Sequence, residues 1–264
     1  MSASALLLVV LFAAPPLSES PAVEAWASED WPADALLALS KLPRTMLAVQ
    51  TRSNMLRPSV FSLLARGSSA VSIAAPLAEA HVDQLRKLTR AVLVLKVPNK
   101  PDAALKKSLM HLGPQLVRFQ VARLDAATAA WLADFKRCEV ELDLRGRLPE
   151  QEELERLAQL ARASRILRIA ATDPPALIAA LRAVGPARVI VESLEDRVPE
   201  AMVEALHASG LSVRVRLDSR ASVDDVLRLA ALAQLSLELV LEADSDQALK
   251  GATQLLSGLA AAVP

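Results

Sequence analysis

Tyrosine is absent from this chain of 264 residues, and only three Trp and four Phe are present. So few flat rings argue against the stacking platforms on which proteins hold sugars and single-stranded bases. The single cysteine, Cys138, excludes an intramolecular disulfide and the cysteine-built zinc and iron–sulfur sites. It opens the alternation Cys-Glu-Val-Glu-Leu-Asp-Leu with no His close in sequence, so buried packing at a strand start is expected of it. Seven glycines leave little for phosphate-cradling loops, and neither G-x-G-x-x-G nor a P-loop occurs, so no cofactor is expected. G-x-S-x-G and H-E-x-x-H are missing too. The three His (His81, His111, His207) fall in expected helices rather than at strand ends, and no metal site is expected. Charge of one sign is also lacking: 30 basic and 30 acidic residues cancel, which excludes the footprint of a general nucleic-acid binder.

Apolar material is plentiful, with 53% hydrophobic residues against 23% charged. Ala5 to Ala14 is a ten-residue apolar run. It is too short for a membrane span, which needs roughly 20 apolar residues, and it suits the core of an export signal. Ala25 and Ala27 form an A-x-A-like cleavage site, and Ala22 is a second candidate; no Lys or Arg precedes the run, the first basic residue being Lys41. The expectation is a signal peptide over residues 1–27, a single domain over 28–264, and a periplasmic or secreted location, with a cytoplasmic one if the segment is no signal. No stable membrane span is expected once the signal is removed.

From about residue 45 two hydrophobic periods take turns. Short alternating runs read as strands, each followed by a stretch with apolar positions three and four apart. Strands are expected to begin near Met46, Ala70, Ala91, Leu116, Cys138, Ile166, Ala187, Leu211 and Ser236, a repeat of about 24 residues. Pro58 suits a first helical turn, Gly67 a left-handed helix end, and Asp125, Ser222 and Ser245 suit N-caps. A further helix near Pro32 to Leu39 is expected to cover one end of the array.

Regular strand–helix alternation predicts an α/β fold of about nine repeated βα units with a parallel sheet. A (β/α)8-type barrel is favoured, and an open leucine-rich-like solenoid is the alternative. The solenoid's Asn signature is missing, since only Asn54 and Asn99 occur. With Val117, Phe119 and Val121 turned to the helices, the other face carries Arg118, then Glu141 and Asp143, then Arg168, then Glu192, then Arg214 and Arg216, then Glu238 and Glu242. The sign alternates from strand to strand, so each charge would stand beside an opposite one. Burying these charges in a barrel costs several kcal/mol each unless they are paired.

Sites in α/β folds lie at the C-terminal ends of the strands. Polar candidates there include Lys96, Asn99, Arg123, Arg220 and Asp244, and the binding set favoured is Arg145, Asp173, Glu192, Arg214, Arg216, Asp218 and Glu242. The function expected is a non-catalytic module that binds an unidentified small ligand or protein partner through its charged inner face or rim. The alternative is a TIM-barrel-like hydrolase or lyase using rim carboxylates such as Glu192 and Asp218, with or without a divalent ion. The Ala- and Leu-rich stretches 226–235 and 255–262 suggest self-association.

Overall fold

The computed structural model describes residues 23–41, 45–51, 55–113, 115–193, 198–218 and 235–240, with a short helical piece within 246–250. Ten parallel strands alternate with helices along this chain: β1 (Val23–Ser28), β2 (Thr45–Gln50), β3 (Ser69–Ile73), β4 (Ala91–Lys96), β5 (Leu116–Val121), β6 (Cys138–Asp143), β7 (Ala163–Ala170), β8 (Arg188–Ser193), β9 (Ser212–Asp218) and β10 (Leu235–Val240). Each strand pairs with the next in sequence, and β1 pairs with β10, so the sheet closes. The α/β barrel expected from the repeat is the fold, with ten staves rather than eight. All nine anticipated strands are present within three residues of their expected starts. The tenth, β1, lies where the sequence suggested a cleavage site, which is why it was missed.

The helices are α1 (Ala33–Ser40), α2 (Pro58–Leu64), α3 (Glu79–Leu85), α4 (Ala103–His111), α5 (Ala126–Ala133), α6 (Gln151–Gln159), α7 (Ala176–Leu181) and α8 (Glu200–Ser209). Local chemistry starts and stops them. Asp102 and Asp125 cap α4 and α5 by accepting from the backbone N–H of Leu105 and Thr128, each at 2.7 Å. Pro58 opens α2, where its missing N–H costs nothing. Gly210 closes α8 in the left-handed conformation at φ 66°. Gly67 does not do this for α2: that helix ends at Leu64 with Ala65 as its cap, and Gly67 has no positive φ. Helix α1 is an ordinary crossover between β1 and β2 rather than a cover for one end. Ser222 and Ser245 lie outside the described residues, as do the stretches 226–235 and 255–262, Leu235 excepted.

Alternate strand residues face outward and pack on the helices. Phe119, Val140, Leu142, Leu167, Val191 and Val215 are fully buried in one continuous apolar layer with helix residues such as Leu132, Leu157 and Leu206. Within it Phe119 meets the edge of Trp131 at 5.4 Å and Phe135 at 4.8 Å, rings close enough to add to the stabilisation that their burial gives. Cys138 is buried here and its thiol is pushed up to about 11 by burial, then by Glu139, so it packs as an apolar group.

No helix among the described residues is long and apolar enough to cross a membrane. The apolar run Ala5 to Ala14 lies outside those residues.

Candidate active site at the barrel mouth

The inward residues of the strands divide the barrel interior in two. Along β1 to β4 the filling is mostly apolar, with Met46, Ala48, Ala70 and Val94 packed against Trp26 and Val92. From β5 round to β1 it is ionic. Arg118 and Arg214 both grip Glu24: Arg118 donates to its two oxygens at 3.1 and 3.2 Å, and Arg214 Nη1 lies against Oε1. Arg118 also donates to Glu139 at 2.6 Å. Higher up, Arg168 pairs with Glu141 at 2.7 Å, while Arg216 reaches Glu192 at 3.2 Å and Glu238 at 2.8 Å. From β5 to β10 neighbouring strands thus meet with opposite charges, as the alternating order of signs in the sequence requires, whereas β10 sets Glu238 directly opposite Glu24 of β1. Burial would raise the Glu24 pKa, but the guanidinium groups of Arg118 and Arg214 outweigh it and hold the carboxyl well below its usual range.

This packing corrects one expectation. The charged inner face is no surface on which a partner or ligand could dock. Arg118, Glu141, Arg168, Arg214 and Glu238 are each at most 8% exposed, and their charges are spent on one another. A non-catalytic binding module working through that face is therefore set aside.

Above the ionic layer, at the C-terminal ends of the strands, two cavities open among the described residues. The larger is a cleft of about 670 Å³ between the loops that follow β4, β5 and β6. Its polar walls are Asn99, Arg123, Asp125, Asp143, Arg145 and Arg147. The smaller, about 220 Å³, sits inside the mouth and is lined by Trp26, Ser72, Gln120, Arg168, Glu192 and Arg216 among others.

Each wall residue is placed by its neighbours. Asp143 ends β6 on the inward face and is half-buried. Burial pushes its pKa up, but hydrogen bonds from Arg145 prevail: Nε at 2.9 Å, Nη2 at 2.6 Å and its backbone N–H at 3.2 Å hold the carboxyl below its ordinary value. The same Arg145 extends Nη1 to Glu192, so it links the cleft to the inner mouth. Arg147 is tied down by Glu153 at 2.6 Å and by the carbonyls of Asp143 and Ala122. Arg123 makes no hydrogen bond or ion pair among the described residues and stands exposed on the cleft wall.

The residues singled out from sequence meet different fates. Arg145 lines the cleft, and Glu192 and Arg216 line the inner mouth. Arg214 lies below, against Glu24. Asp173 is buried and accepts from the backbone N–H of Gly146 at 3.0 Å and of Ala170 at 2.7 Å, so it pins the loop carrying Arg145. Asp218 ends β9, its side chain outside the described residues, and Glu242, Arg220 and Asp244 lie outside them altogether. Lys96 is exposed at the end of β4. Three functional residues were missed as such: Asp125 and Arg147, which flank the cleft, and Glu24, which anchors the ionic layer. Strand parity could have found Glu24, since Val-Glu-Ala-Trp-Ala alternates as a strand does.

Among the described residues, no group of three or more His, Cys, Asp or Glu gathers in a way that could hold a metal ion.

No family model matches the chain. No curated protein matches it either. Among solved structures, it is similar to a homocysteine methyltransferase from Escherichia coli, at 15% identity and a TM-score of 0.45 over 92% of this chain and 97% of that one. It is also similar to a tryptophan synthase structure from M. tuberculosis, at 17% identity and a TM-score of 0.45 over 97% of each chain.

Proposed function

We propose that this chain is a barrel hydrolase or lyase that works on a small anionic substrate in the cleft over β4, β5 and β6. The observation that carries the reading is the convergence of one ionised carboxylate, Asp143, with Arg145 and the exposed Arg123 in a cleft of about 670 Å³ at the C-terminal rim. That volume lies within the range of ligand pockets, roughly 300–1,000 Å³.

The roles follow from the charges. Arg123 supplies the cation that meets the substrate's anionic group, and Asn99 across the cleft offers both donor and acceptor. Asp143, held ionised by Arg145, is suited to accept a proton from water or from a carbon acid, not to donate one. Arg145 fixes the orientation of that carboxylate and places positive charge beside any negative charge that develops. Glu192 is held by both Arg145 and Arg216, so it serves as a positioning residue behind Arg145 rather than as the acid of a carboxylate pair.

Export remains part of the proposal, with one condition. Removal of a leader after Ala22 leaves β1 whole, whereas removal after Ala27 takes Glu24 and most of that strand.

The test is a screen of the purified chain against phosphate, carboxylate and sulfate ester hydrolysis and against β-elimination from hydroxy acids. Asp143→Asn should lower turnover of any substrate found by 10²–10⁴-fold, with its circular dichroism and melting unchanged. Full turnover by a folded Asp143→Asn protein would refute the assignment.

A further inference from the structure

We infer that the N-terminal end of the barrel, opposite the rim cleft, is a docking face for an anionic lipid bilayer. The inference goes beyond the proposed reaction, since it concerns where the protein sits and which way its cleft points.

The equal totals of basic and acidic residues hide a division in space. Every strand runs the same way, so the connections from each helix to the next strand gather at one end of the barrel. In these connections Lys41 follows α1, Arg66 follows α2, and Arg86, Lys87 and Arg90 follow α3. Lys136 and Arg137 follow α5, Arg162 follows α6 and Arg182 follows α7. All are exposed. Asp134 is the one acidic residue in the same connections up to β9, and Lys106 of α4 already holds it. Arg86 meets Asp83 loosely at 3.8 Å, and Arg182 donates to the carbonyl of Ala208. The other side chains make no hydrogen bond or ion pair among the described residues. The connections at the opposite end mix signs, as Lys100 with Asp102, Arg123 with Asp125 and Arg147 with Glu150 show.

A cation near a helix C-terminus also answers the helix dipole, an effect confined to the last turn. One cation per helix serves that purpose, yet α3 is followed by Arg86, Lys87 and Arg90, and α5 by Lys136 and Arg137. Cations crowded in this way repel one another, and an anionic surface relieves the repulsion.

Shape and composition select the occupant. The cations sit on connections from β2 round to β8, so they spread in an arc about the end of the barrel. Such an arc meets a planar array of headgroup phosphates over its whole span. Phe135, the one aromatic residue in these connections, packs against Phe119 and Trp131, so no ring is offered for stacking on bases. A protein partner calls for apolar or aromatic anchors. Of the exposed large apolar side chains, Met55 and Leu148 lie at the other end, and only Met110 of α4 is near this face.

The chain's own order favours lipid. Because β1 begins at Val23 and every strand starts at this end, the chain enters the barrel through the basic face. The apolar run Ala5 to Ala14 precedes that point by no more than about 30 Å of extended chain. An apolar segment and a basic patch beside it are the two signals that together give stable attachment to a membrane. With a leader removed after Ala22, the basic face remains and holds the protein by charge alone. In either case the rim cleft faces away from the lipid.

The experiment is co-sedimentation of the full chain with neutral phosphatidylcholine vesicles and with vesicles that also contain phosphatidylglycerol. Binding to the anionic vesicles should be at least about tenfold tighter and should weaken as salt screens the charges. The triple variant Lys87→Gln, Arg90→Gln, Arg137→Gln should lose at least about tenfold in that binding. Arg57→Gln, Lys96→Gln, Lys100→Gln removes as much charge from the opposite end and should leave binding unchanged. Arg66→Gln with Lys136→Gln and Arg162→Gln serves if the first variant does not fold. Equal binding to neutral and anionic vesicles overturns the inference, because the apolar run would then act alone. Equal effects of the two triple variants overturn it too, since net charge rather than a face would be responsible. Tighter binding to a nucleic-acid duplex than to anionic vesicles at the same salt would assign the face to that polyanion instead. None of these outcomes touches the catalytic reading, which rests on Asp143 at the other end of the barrel.

Discussion

The barrel has two cores that share the same strands and obey different rules. Outside the sheet, Phe119, Leu142, Leu167 and their neighbours fill the space to the helices with apolar groups alone. Inside it, the alternate residues of β5 to β10 and of β1 fill the space with arginine and glutamate. Apolar packing is non-directional, so any set of side chains with the right volume and pattern will serve. An ionic filling has to be matched as a set, because each buried charge is costly unless a specific partner stands beside it. Arg118 shows how demanding this is: from β5 it reaches across the interior to Glu24 on β1 while holding Glu139 on β6. A barrel widens with strand number. Ten strands therefore leave a wide interior, which the arginine side chains cross while Met46, Ala48, Ala70 and Val94 fill the side nearer β2 to β4.

The comparison is broken most easily at Glu24. Glu24→Ala strands Arg118 and Arg214, two cations at most 5% exposed, and should cost about 3–5 kcal/mol, the range for breaking a buried pair. Urea unfolding followed by circular dichroism measures this directly. A chain starting at residue 28 loses the same carboxylate along with most of β1 and should fail to give a cooperative transition. A loss below about 1 kcal/mol for Glu24→Ala would show that the arginines find water or other partners, and the inner core would then be a hydrated one.

Leu142→Ala probes the outer core one residue along from Glu141. The methyl groups removed are fully buried, so the loss should be about 2–5 kcal/mol. The contrast with the inner core lies in what repairs each site. Leu142→Met should restore most of the stability, to within about 1.5 kcal/mol of the parent. No single substitution other than a carboxylate should do so at position 24. Repair of Glu24→Ala by an apolar residue of similar volume would erase the distinction drawn here.

Much of this was legible because strands and helices have different periods. The outer layer followed from Val117, Phe119 and Val121, whose spacing of two turned them to one face, and the opposite face then had to carry Arg118 and its partners. The alternation of sign from strand to strand was visible too, and it survives as the pairs Arg168–Glu141 and Arg216–Glu192. Closure was harder to read, because it depends on β1, whose Ala25 and Ala27 resemble a cleavage site as much as a strand. The site was only half legible. Arg145 and Glu192 sit at strand ends, as the fold predicts, but nothing in the sequence says that Arg145 bridges two cavities. That contact spans 47 residues and depends on how the β6–α6 loop is pinned by Asp173. The same gap applies to the inner face: sequence order reveals which charges neighbour each other, but not how little solvent reaches those below the mouth.

The smallest effect is the most discriminating, and it concerns Glu238. This residue lies directly opposite Glu24 in the pairing of β10 with β1, so two carboxyls share one place in the interior. They respond oppositely. Glu24 is held below its ordinary pKa, so its contribution to stability is present above the unfolded value and is lost as pH falls through the folded one. Glu238 is raised, by burial first, so its contribution is present below the unfolded value and is lost as pH rises through the folded one. Glu238→Gln mimics the protonated acid. It should change stability by only about 1 kcal/mol or less near neutrality and should flatten the decline on the alkaline side of the carboxylate range. Urea midpoints measured between about pH 5 and 8 test this, with Glu24→Gln as the contrasting variant that loses far more. If Glu238→Gln costs as much as Glu24→Gln, both carboxylates are ionised partners of the arginines.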